Sequence, residues 1–163
     1  MSQLSLHEQR HLHLLPETEL HNIHVSPQSL WTDPQWRLEN PTPGLSGMRS
    51  MVKWNINLPD GSCLLDAQWS DLLDSLRRFV WSLLVDPREG KNFKVTSMAT
   101  MSQVITSLVR WMVANHFQRI SELDNDASWE YVEYVTEVTT QDEGELPSVS
   151  VVWQKLHLIT LLY

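Results

Sequence analysis

Residues 66–84 have the sequence DAQWSDLLDSLRRFVWSLL, which contains the most regular apolar spacing in the chain. Apolar side chains recur in it at intervals of three and four residues from Trp69 to Leu84, so they share one face of a helix. Asp66 stands before the first of them and is the expected N-cap. Pro87 disfavours helical backbone at the residue before it, and we therefore predict that this first helix ends there.

The second predicted helix begins between Thr96 and Thr100, where several hydroxyl groups can cap it, and ends near Asn115. Its buried face is expected to consist of apolar residues at helical spacing: Met101, Val104, Ile105, Leu108, Trp111 and Met112. Its opposite face carries hydroxyl and amide groups with one cation: Gln103, Thr106, Ser107 and Arg110.

Two more helices are predicted further along the chain. The third runs from about Ala127 to Val138, with Asp124 or Asp126 as its cap. Its spacing predicts an inward face of Trp129, Val132 and Val135 and an outward face of Glu130, Glu133 and Glu137. The fourth starts near Ser148 or Ser150 and continues to Tyr163.

Residues 1–60 are predicted to form a largely irregular N-terminal arm. Prolines recur in it too often for long helices, at Pro16, Pro27, Pro34, Pro41 and Pro43. Between Val52 and Leu58, apolar residues alternate with polar ones, which favours one short strand or an extended segment. The predicted fold class is therefore all-α, with a helical domain over residues 61–163 that follows this arm.

Composition bounds the class of protein. Of the 163 residues, 42% are hydrophobic, which is enough for a packed core. Cys63 is the single cysteine, so no internal disulfide can form, and this suits a reducing compartment. The sequence shows neither a signal-peptide pattern nor an apolar run of about 18 residues, so we expect a cytoplasmic protein that does not span a membrane.

Charge is distributed unevenly along the chain. The formal net charge is −8, yet residues 67–120 hold seven Lys/Arg against four Asp/Glu, a net of +3. Residues 121–147 hold nine Asp/Glu and no Lys/Arg. Local charge decides whether a phosphate can approach within a Debye length of about 10 Å. The middle segment can therefore bind nucleic acid although the whole protein is acidic.

No catalytic residue, metal site or cofactor is predicted. Cys63 has no histidine near it in sequence and is expected to be an inert, small apolar residue. The Gly44–Gly47 segment places its second glycine one residue too early for a nucleophile elbow. The histidines of the arm could supply metal ligands, or they could belong to an ordinary solvated stretch: His7, His11, His13, His21 and His24.

The basic middle segment is the candidate DNA-binding surface. The residues assigned to it are Arg77, Arg78, Lys91, Lys94, Thr96, Arg110 and Arg119. Trp81 follows Arg77 and Arg78 by about one helical turn, so its ring could pack on their guanidinium groups. Amides near Thr96, at the start of the second helix, could also receive a phosphate. In the alternative interpretation, the basic residues only make the surface soluble. Arg77 and Arg78 then pair with Asp74 or with the acidic third helix, and Trp81 is buried under the N-terminal arm.

The order of these elements resembles the core-binding domain of tyrosine recombinases, the phage integrase family. Three features carry the resemblance, namely a threonine-rich helix start, a hydrophobic-x-x-tryptophan and an isoleucine-x-x-hydrophobic-acidic connector: Thr96 with Thr100, Leu108 with Trp111, and Ile120 with Leu123 and Asp124. The resemblance covers residues 61–163 and implies a four-helix, SAM-like bundle.

The resemblance also implies a DNA-binding module that is not itself an enzyme. In this family the catalytic arginines, lysine, histidine and nucleophilic tyrosine lie in a following domain, and none of them corresponds to a residue here. We expect the chain to stop where that domain would start. The implied partners are double-stranded DNA and a C-terminal catalytic domain or other recombinase protomers. Because the third helix is acidic, the alternative is a protein–protein interaction module that uses this acidic face and does not bind DNA.

Overall fold

The computed structural model describes residues 12–38, 51–85 and 98–141. Four α-helices and four strands lie within these ranges, in the order α1 (Glu17–Leu20), β1 (His24–Ser26), β2 (Ser29–Leu30), β3 (Gln35–Arg37), β4 (Met51–Lys53), α2 (Ser70–Val85), α3 (Met98–Ala114) and α4 (Asn125–Gln141). Short 3₁₀ turns lie at Leu12–Leu14, Ala67–Trp69 and Ile120–Glu122.

The three long helices confirm the first three predicted helices. A 3₁₀ turn follows Asp66 and leads directly into α2, which ends at Val85, just before Asp86-Pro87. Helix α3 ends at Ala114, and the chain leaves it through His116, which has a left-handed φ of 66°. Helix α4 starts after Asp124, whose Oδ1 accepts a hydrogen bond of 2.8 Å from the Ala127 amide. The fourth predicted helix lies outside the described residues.

The prediction of an all-α fold is wrong, because two small antiparallel sheets accompany the helices. Strands β1 and β2 form one two-stranded sheet, and β3 and β4 form the other, with Trp36 paired opposite Val52. Each of these strands has only two or three residues. A period of two is recognisable over about four to eight residues, so strands this short leave no clear pattern in the sequence.

The prediction of an irregular N-terminal arm is also wrong for residues 12–38. Leu12, Leu20, Trp31 and Trp36 are each at most 2% exposed and belong to the same hydrophobic cluster as the long helices. Prolines separate the short elements here rather than preventing them. They lie at the N-cap of α1, in the turn between β1 and β2, and just before β3.

The alternation predicted between Val52 and Leu58 is confirmed. Val52, Trp54, Ile56 and Leu58 are buried, whereas Lys53, Asn55 and Asn57 are exposed. Only Met51–Lys53 pairs as a strand, and the chain then continues in extended form to a bridge between Asn57 and Cys63. This segment packs along α3.

Four tryptophans join the N-terminal elements to α2. Trp36 lies at the centre, with ring centroids 5.1 Å from Trp31, 5.0 Å from Trp54 and 6.1 Å from Trp81. The Trp36 indole also donates a hydrogen bond of 3.1 Å to the carbonyl oxygen of Trp31. Tilted and edge-to-face ring pairs of this kind add stability beyond the area they bury.

Candidate nucleic-acid interface

Arg77, the first residue predicted to contact DNA, lies inside the molecule. It is 7% exposed, and its Nη2 donates to the carbonyl oxygens of Thr32 at 3.1 Å and Asp33 at 2.9 Å. Its guanidinium carbon lies 5.8 Å from the centroid of the Trp54 ring. Burial lowers the pKa of Arg77 to about 10, and the carboxylates of Asp74 and Asp33 oppose that shift.

Arg78 is half-buried and also makes contacts within the chain. Its Nε pairs with the Asp74 carboxylate one helical turn away, at 2.5 Å. Its Nη1 donates to the carbonyl oxygens of His13 at 2.9 Å and Leu15 at 2.6 Å. Arg78 therefore fastens the first described N-terminal residues to α2.

The neighbouring Trp81 is buried rather than exposed between the two guanidinium groups. It is 5% exposed and packs on Trp31 and Trp36 of the N-terminal elements. These contacts agree with the alternative of Arg78 paired to Asp74 and of Trp81 buried under the N-terminal residues. DNA contacts by the two arginines stay predictions, and their burial and their partners argue against them.

Arg119 is exposed but paired. Its Nη2 lies 2.7 Å from Oδ2 of Asp71 on α2, and this hydrogen bond raises the pKa of the guanidinium. The amides of Gln118 and Arg119 both donate to the Glu122 carboxylate. The positive charge of Arg119 is therefore largely offset by nearby carboxylates.

Arg110 is the predicted residue with the most accessible charge in the described ranges. It is exposed on α3, and its Nε donates a 3.0 Å hydrogen bond to the carbonyl oxygen of Asn57. Its two Nη atoms have no hydrogen-bond partner among the residues that the structure describes. Lys91, Lys94 and Thr96, the remaining predicted residues, lie outside the described ranges.

Around Arg110, the structure gathers polar side chains from three elements. Lys53 donates its amide to Ser102 on α3, and Asn57 accepts from Arg110, so residues 53–57 run along this helix. Strand β3 pairs with β4 on the side of β4 that is away from α3. We call the resulting set of exposed and half-buried polar residues the acid-free surface: Gln35, Arg37, Lys53, Asn55, Asn57, Gln103, Thr106 and Arg110.

Sequence reasoning missed two cations of the acid-free surface, Arg37 and Lys53. For Lys53 a signal existed, because it alternates with the apolar residues Val52 and Trp54 and had to face solvent if they were buried. For Arg37 the sequence contained no comparable signal. Strand β3 has only three residues, and its partner strand β4 does not follow it directly but lies further along the chain.

Helix α4 carries the opposite kind of surface. Trp129 was predicted to point inward but is 62% exposed, while Tyr131 is fully buried and its ring lies 5.2 Å from that of Trp111. The buried stripe follows Ala127, Tyr131 and Val135 at intervals of four. The sequence pattern favoured the stripe of Trp129, Val132 and Val135 because these residues are strongly apolar. Ala127 and Tyr131 were overlooked because alanine is small and tyrosine carries a hydroxyl group.

We call the exposed side of α4 the acidic aromatic face, made of Asp126, Trp129, Glu130, Glu133 and Tyr134. Its carboxylates alternate with an exposed indole and a phenol ring along about two helical turns. Tyr134 is 36% exposed and its ring lies 6.2 Å from that of Tyr131. This face would repel phosphate and attract cationic groups.

The described ranges hold no group of three His, Cys, Asp or Glu side chains placed to bind a metal ion. His7 and His11 fall outside those ranges, and Cys63 is a half-buried free thiol. In the same part of the chain, no helix is long and apolar enough to cross a bilayer. Comparison of the chain with protein-family models, curated proteins and solved structures finds no match.

Proposed function

We propose that this chain binds double-stranded DNA through the acid-free surface, as the core-binding module of a tyrosine recombinase. The observation that carries the proposal is that three cations of that surface, Arg37, Lys53 and Arg110, are exposed in a protein of net charge −8 and form no ion pair with the residues that the structure describes. Phosphate contacts with lysine and arginine supply most of the affinity of such proteins for DNA. Net repulsion by the acidic residues elsewhere weakens beyond a Debye length of about 10 Å.

The side chains of the acid-free surface suit a duplex. Arginine and lysine bind phosphates, and glutamine and asparagine can also hydrogen-bond to base edges. Helix α3 carries no acidic residue between Met98 and Ala114, so its exposed face can approach DNA without repulsion from its own side chains. The bond from Arg110 to Asn57 orients the guanidinium before DNA binds, which lowers the entropy lost on binding.

The connector before α4 supports the family part of the proposal. Each fixed position of its isoleucine-x-x-hydrophobic-acidic pattern makes a defined contact: Ile120 is half-buried against the core, Leu123 is 7% exposed, and Asp124 caps α4. The Ile120 amide also lies 3.4 Å from the Ser75 hydroxyl of α2. These contacts hold the connector between α2 and the start of α4.

In this proposal the module positions DNA, and strand exchange takes place in a catalytic domain that follows it or on partner protomers. The single cysteine, Cys63, is unpaired, which agrees with the cytoplasm as the place where the module works.

The test is duplex binding as a function of salt, measured by fluorescence anisotropy on a labelled mixed-sequence duplex. We expect the full chain to bind at about 50 mM NaCl and to lose affinity steeply towards about 200 mM. Arg110→Gln should weaken binding about tenfold at the lower salt and reduce the log–log slope by about 0.9, the value for one phosphate contact.

The matched control for that variant is Arg119→Gln. It makes the same change in net charge at an exposed arginine whose charge Asp71 already offsets. Its affinity should stay close to that of the unmodified chain. Absence of salt-sensitive duplex binding at low ionic strength would overturn the proposal, and so would equal losses in the two variants.

A second candidate function rests on the exposure of Trp129 among carboxylates. We propose that the acidic aromatic face docks a basic surface of another recombinase protomer, because an exposed indole beside carboxylates suits a guanidinium-rich partner. This function does not require DNA binding and would use a different side of α4 from the one that packs on Trp111.

Sedimentation of the full chain over a range of concentrations tests the second candidate. Self-association that weakens with salt and disappears in Glu130→Lys/Glu133→Lys, with duplex binding retained, would support it. A chain that stays monomeric at all concentrations, or a variant that still associates, would exclude it.

A further inference from the structure

We propose that the exposed face of the β3–β4 ribbon is a second DNA-contacting element beside α3, with Arg37 and Lys53 on phosphates; this inference rests on the proposed function. Neither residue lies in the basic segment that sequence analysis assigned to DNA. Both belong to the part of the chain before α2.

The pairing register places the two cations on one face of the ribbon. Gln35 pairs with Lys53, Trp36 with Val52, and Arg37 with Met51. Because successive side chains of a strand point to opposite faces, Gln35, Arg37 and Lys53 share the solvent side. Arg37 and Lys53 are diagonal neighbours across the ribbon, which places their Cβ atoms roughly 7 Å apart. Adjacent phosphates on one DNA strand are separated by a similar distance.

Both cations are available for a ligand. Arg37 and Lys53 are exposed, and their charged groups make no hydrogen bond or ion pair with the residues that the structure describes. The other arginines in those ranges each donate at least one side-chain hydrogen bond to another part of the chain. The charged groups of the ribbon are therefore accessible to a ligand, whereas the arginines of α2 are hydrogen-bonded within the chain.

The backbone that carries these cations is held firmly. On the inner face, Trp36 and Val52 are fully buried. The Arg37 amide donates to the Ser29 hydroxyl at 2.9 Å, and its carbonyl oxygen accepts from the Ser26 hydroxyl at 2.6 Å. A ribbon held at its inner face and along its outer edge presents its cations without ordering a loop on binding.

In the described part of the chain, the carboxylate beside Arg37 is hydrogen-bonded to a backbone amide. A shallow depression beside Arg37 is lined by Gln28, Ser29, Asp33, Pro34, Gln35 and Arg37. The Asp33 carboxylate there accepts a 2.8 Å hydrogen bond from the Leu30 amide, which commits it to the turn after β2. The rest of its polar side-chain lining consists of the amides of Gln28 and Gln35, the Ser29 hydroxyl and the Arg37 guanidinium group.

The position of the ribbon next to α3 indicates how the two elements share a duplex. The major groove is about 12 Å wide and admits one helix or one two-stranded ribbon. With α3 facing the groove, the adjacent ribbon lies over the bordering sugar-phosphate backbone. Two long cations with a neighbouring amide suit that backbone, since phosphate contacts fix the register of a protein on DNA.

The experiment compares Arg37→Gln/Lys53→Gln with the unmodified chain and with Arg110→Gln, using the same labelled duplex and salt series. We expect the double variant to lose about two phosphate contacts, which reduces the log–log salt slope by about 1.8 and the affinity at about 50 mM by roughly a hundredfold. Circular dichroism should show unchanged melting, because both side chains are exposed and only backbone atoms of these residues make the bonds described.

The outcomes separate the two proposals. If the double variant keeps the slope of the unmodified chain while Arg110→Gln loses about 0.9, the ribbon does not contact DNA, and DNA binding is then confined to α3 with Arg110. If the unmodified chain itself binds no duplex, the proposed function fails and the ribbon inference falls with it. A fall in slope for the double variant that exceeds the change in Arg119→Gln supports the ribbon contact.

Discussion

The arginines of α2 and the cations around α3 occupy contrasting environments. Arg77 and Arg78 direct their guanidinium groups at carbonyl oxygens of residues 13–33 and at Asp74, and Arg77 is almost fully buried. Arg37, Lys53 and Arg110 are exposed, and no carboxylate pairs with them among the residues that the structure describes. Clustering of basic residues along a sequence therefore does not show which of them can reach a ligand.

The arginines of α2 also help to attach the N-terminal elements to the rest of the protein. Those elements have only short strands and a single-turn helix, which form few backbone hydrogen bonds of their own. Two arginines of α2 satisfy carbonyl oxygens from this region, and four tryptophans fill the space between it and the helix. Charge in α2 therefore serves folding, and the surface left for binding is built from other elements.

The largest effect expected from this contrast is on stability. Arg77→Ala removes two charged hydrogen bonds from a buried guanidinium to the carbonyl oxygens of Thr32 and Asp33, each worth about 1.5–3 kcal/mol, and should lower the free energy of unfolding by roughly 3–5 kcal/mol. Urea denaturation followed by tryptophan fluorescence measures it. Arg110→Ala, made on an exposed arginine, is the control and should unfold within about 0.5 kcal/mol of the unmodified chain. If the two variants were equally stable, the claim that Arg77 stabilises the fold and Arg110 does not would be contradicted.

An intermediate effect is expected at Arg78, which is half-buried. Arg78→Ala leaves the carbonyl oxygens of His13 and Leu15 and the Asp74 carboxylate without their partner. We expect a loss of about 1–2 kcal/mol, less than at Arg77, because water can reach part of the site. Proteolysis should then cut the N-terminal elements sooner in the folded protein. A variant as resistant as the unmodified chain would show that Arg78 does not fasten them.

The three long helices could be predicted from sequence, because apolar residues recur in them at helical spacing and because capping or helix-breaking residues such as Asp124 and Pro87 stand next to their ends. The sheets could not, since two- and three-residue strands carry no detectable period. The burial of Arg77 could not be predicted either, because its acceptor at Asp33 lies 44 residues away in the chain. Of the candidate surface, only the polar face of α3 with Arg110 was recognised.

A smaller, pH-dependent effect is expected at Tyr131, a buried ionisable group on α4. Burial raises the pKa of Tyr131 to about 12, above the ordinary value of 10.0. In this range the unfolded chain loses its proton first, so stability is intact below pH 10 and falls as the pH rises towards 12. Thermal melts at several pH values should show this fall.

Tyr131→Phe is the control for that titration, because it keeps the ring that packs on Trp111. Its melting temperature should decline less between pH 10 and 12 than that of the unmodified chain. If the melting temperatures of the two proteins declined in parallel, the Tyr131 hydroxyl would ionise as readily in the folded protein as in the unfolded chain.

The smallest effect is expected at Trp129, which is exposed, unlike the four tryptophans that cluster around Trp36. Trp129→Gln should change the free energy of unfolding by no more than about 0.5 kcal/mol, because the indole is mostly in water. Trp36→Phe, made inside the cluster, is the matched comparison and should lose about 1 kcal/mol or more. Strong destabilisation by Trp129→Gln would show that another part of the molecule covers this face.

We expect the exposed cations, and not those of α2, to bind DNA. The direct measurement is the salt dependence of duplex binding by Arg37→Gln/Lys53→Gln/Arg110→Gln beside the unmodified chain. We predict that the log–log slope falls by about 2.7, for three lost phosphate contacts, while melting stays unchanged. A slope equal to that of the unmodified chain would contradict the claim.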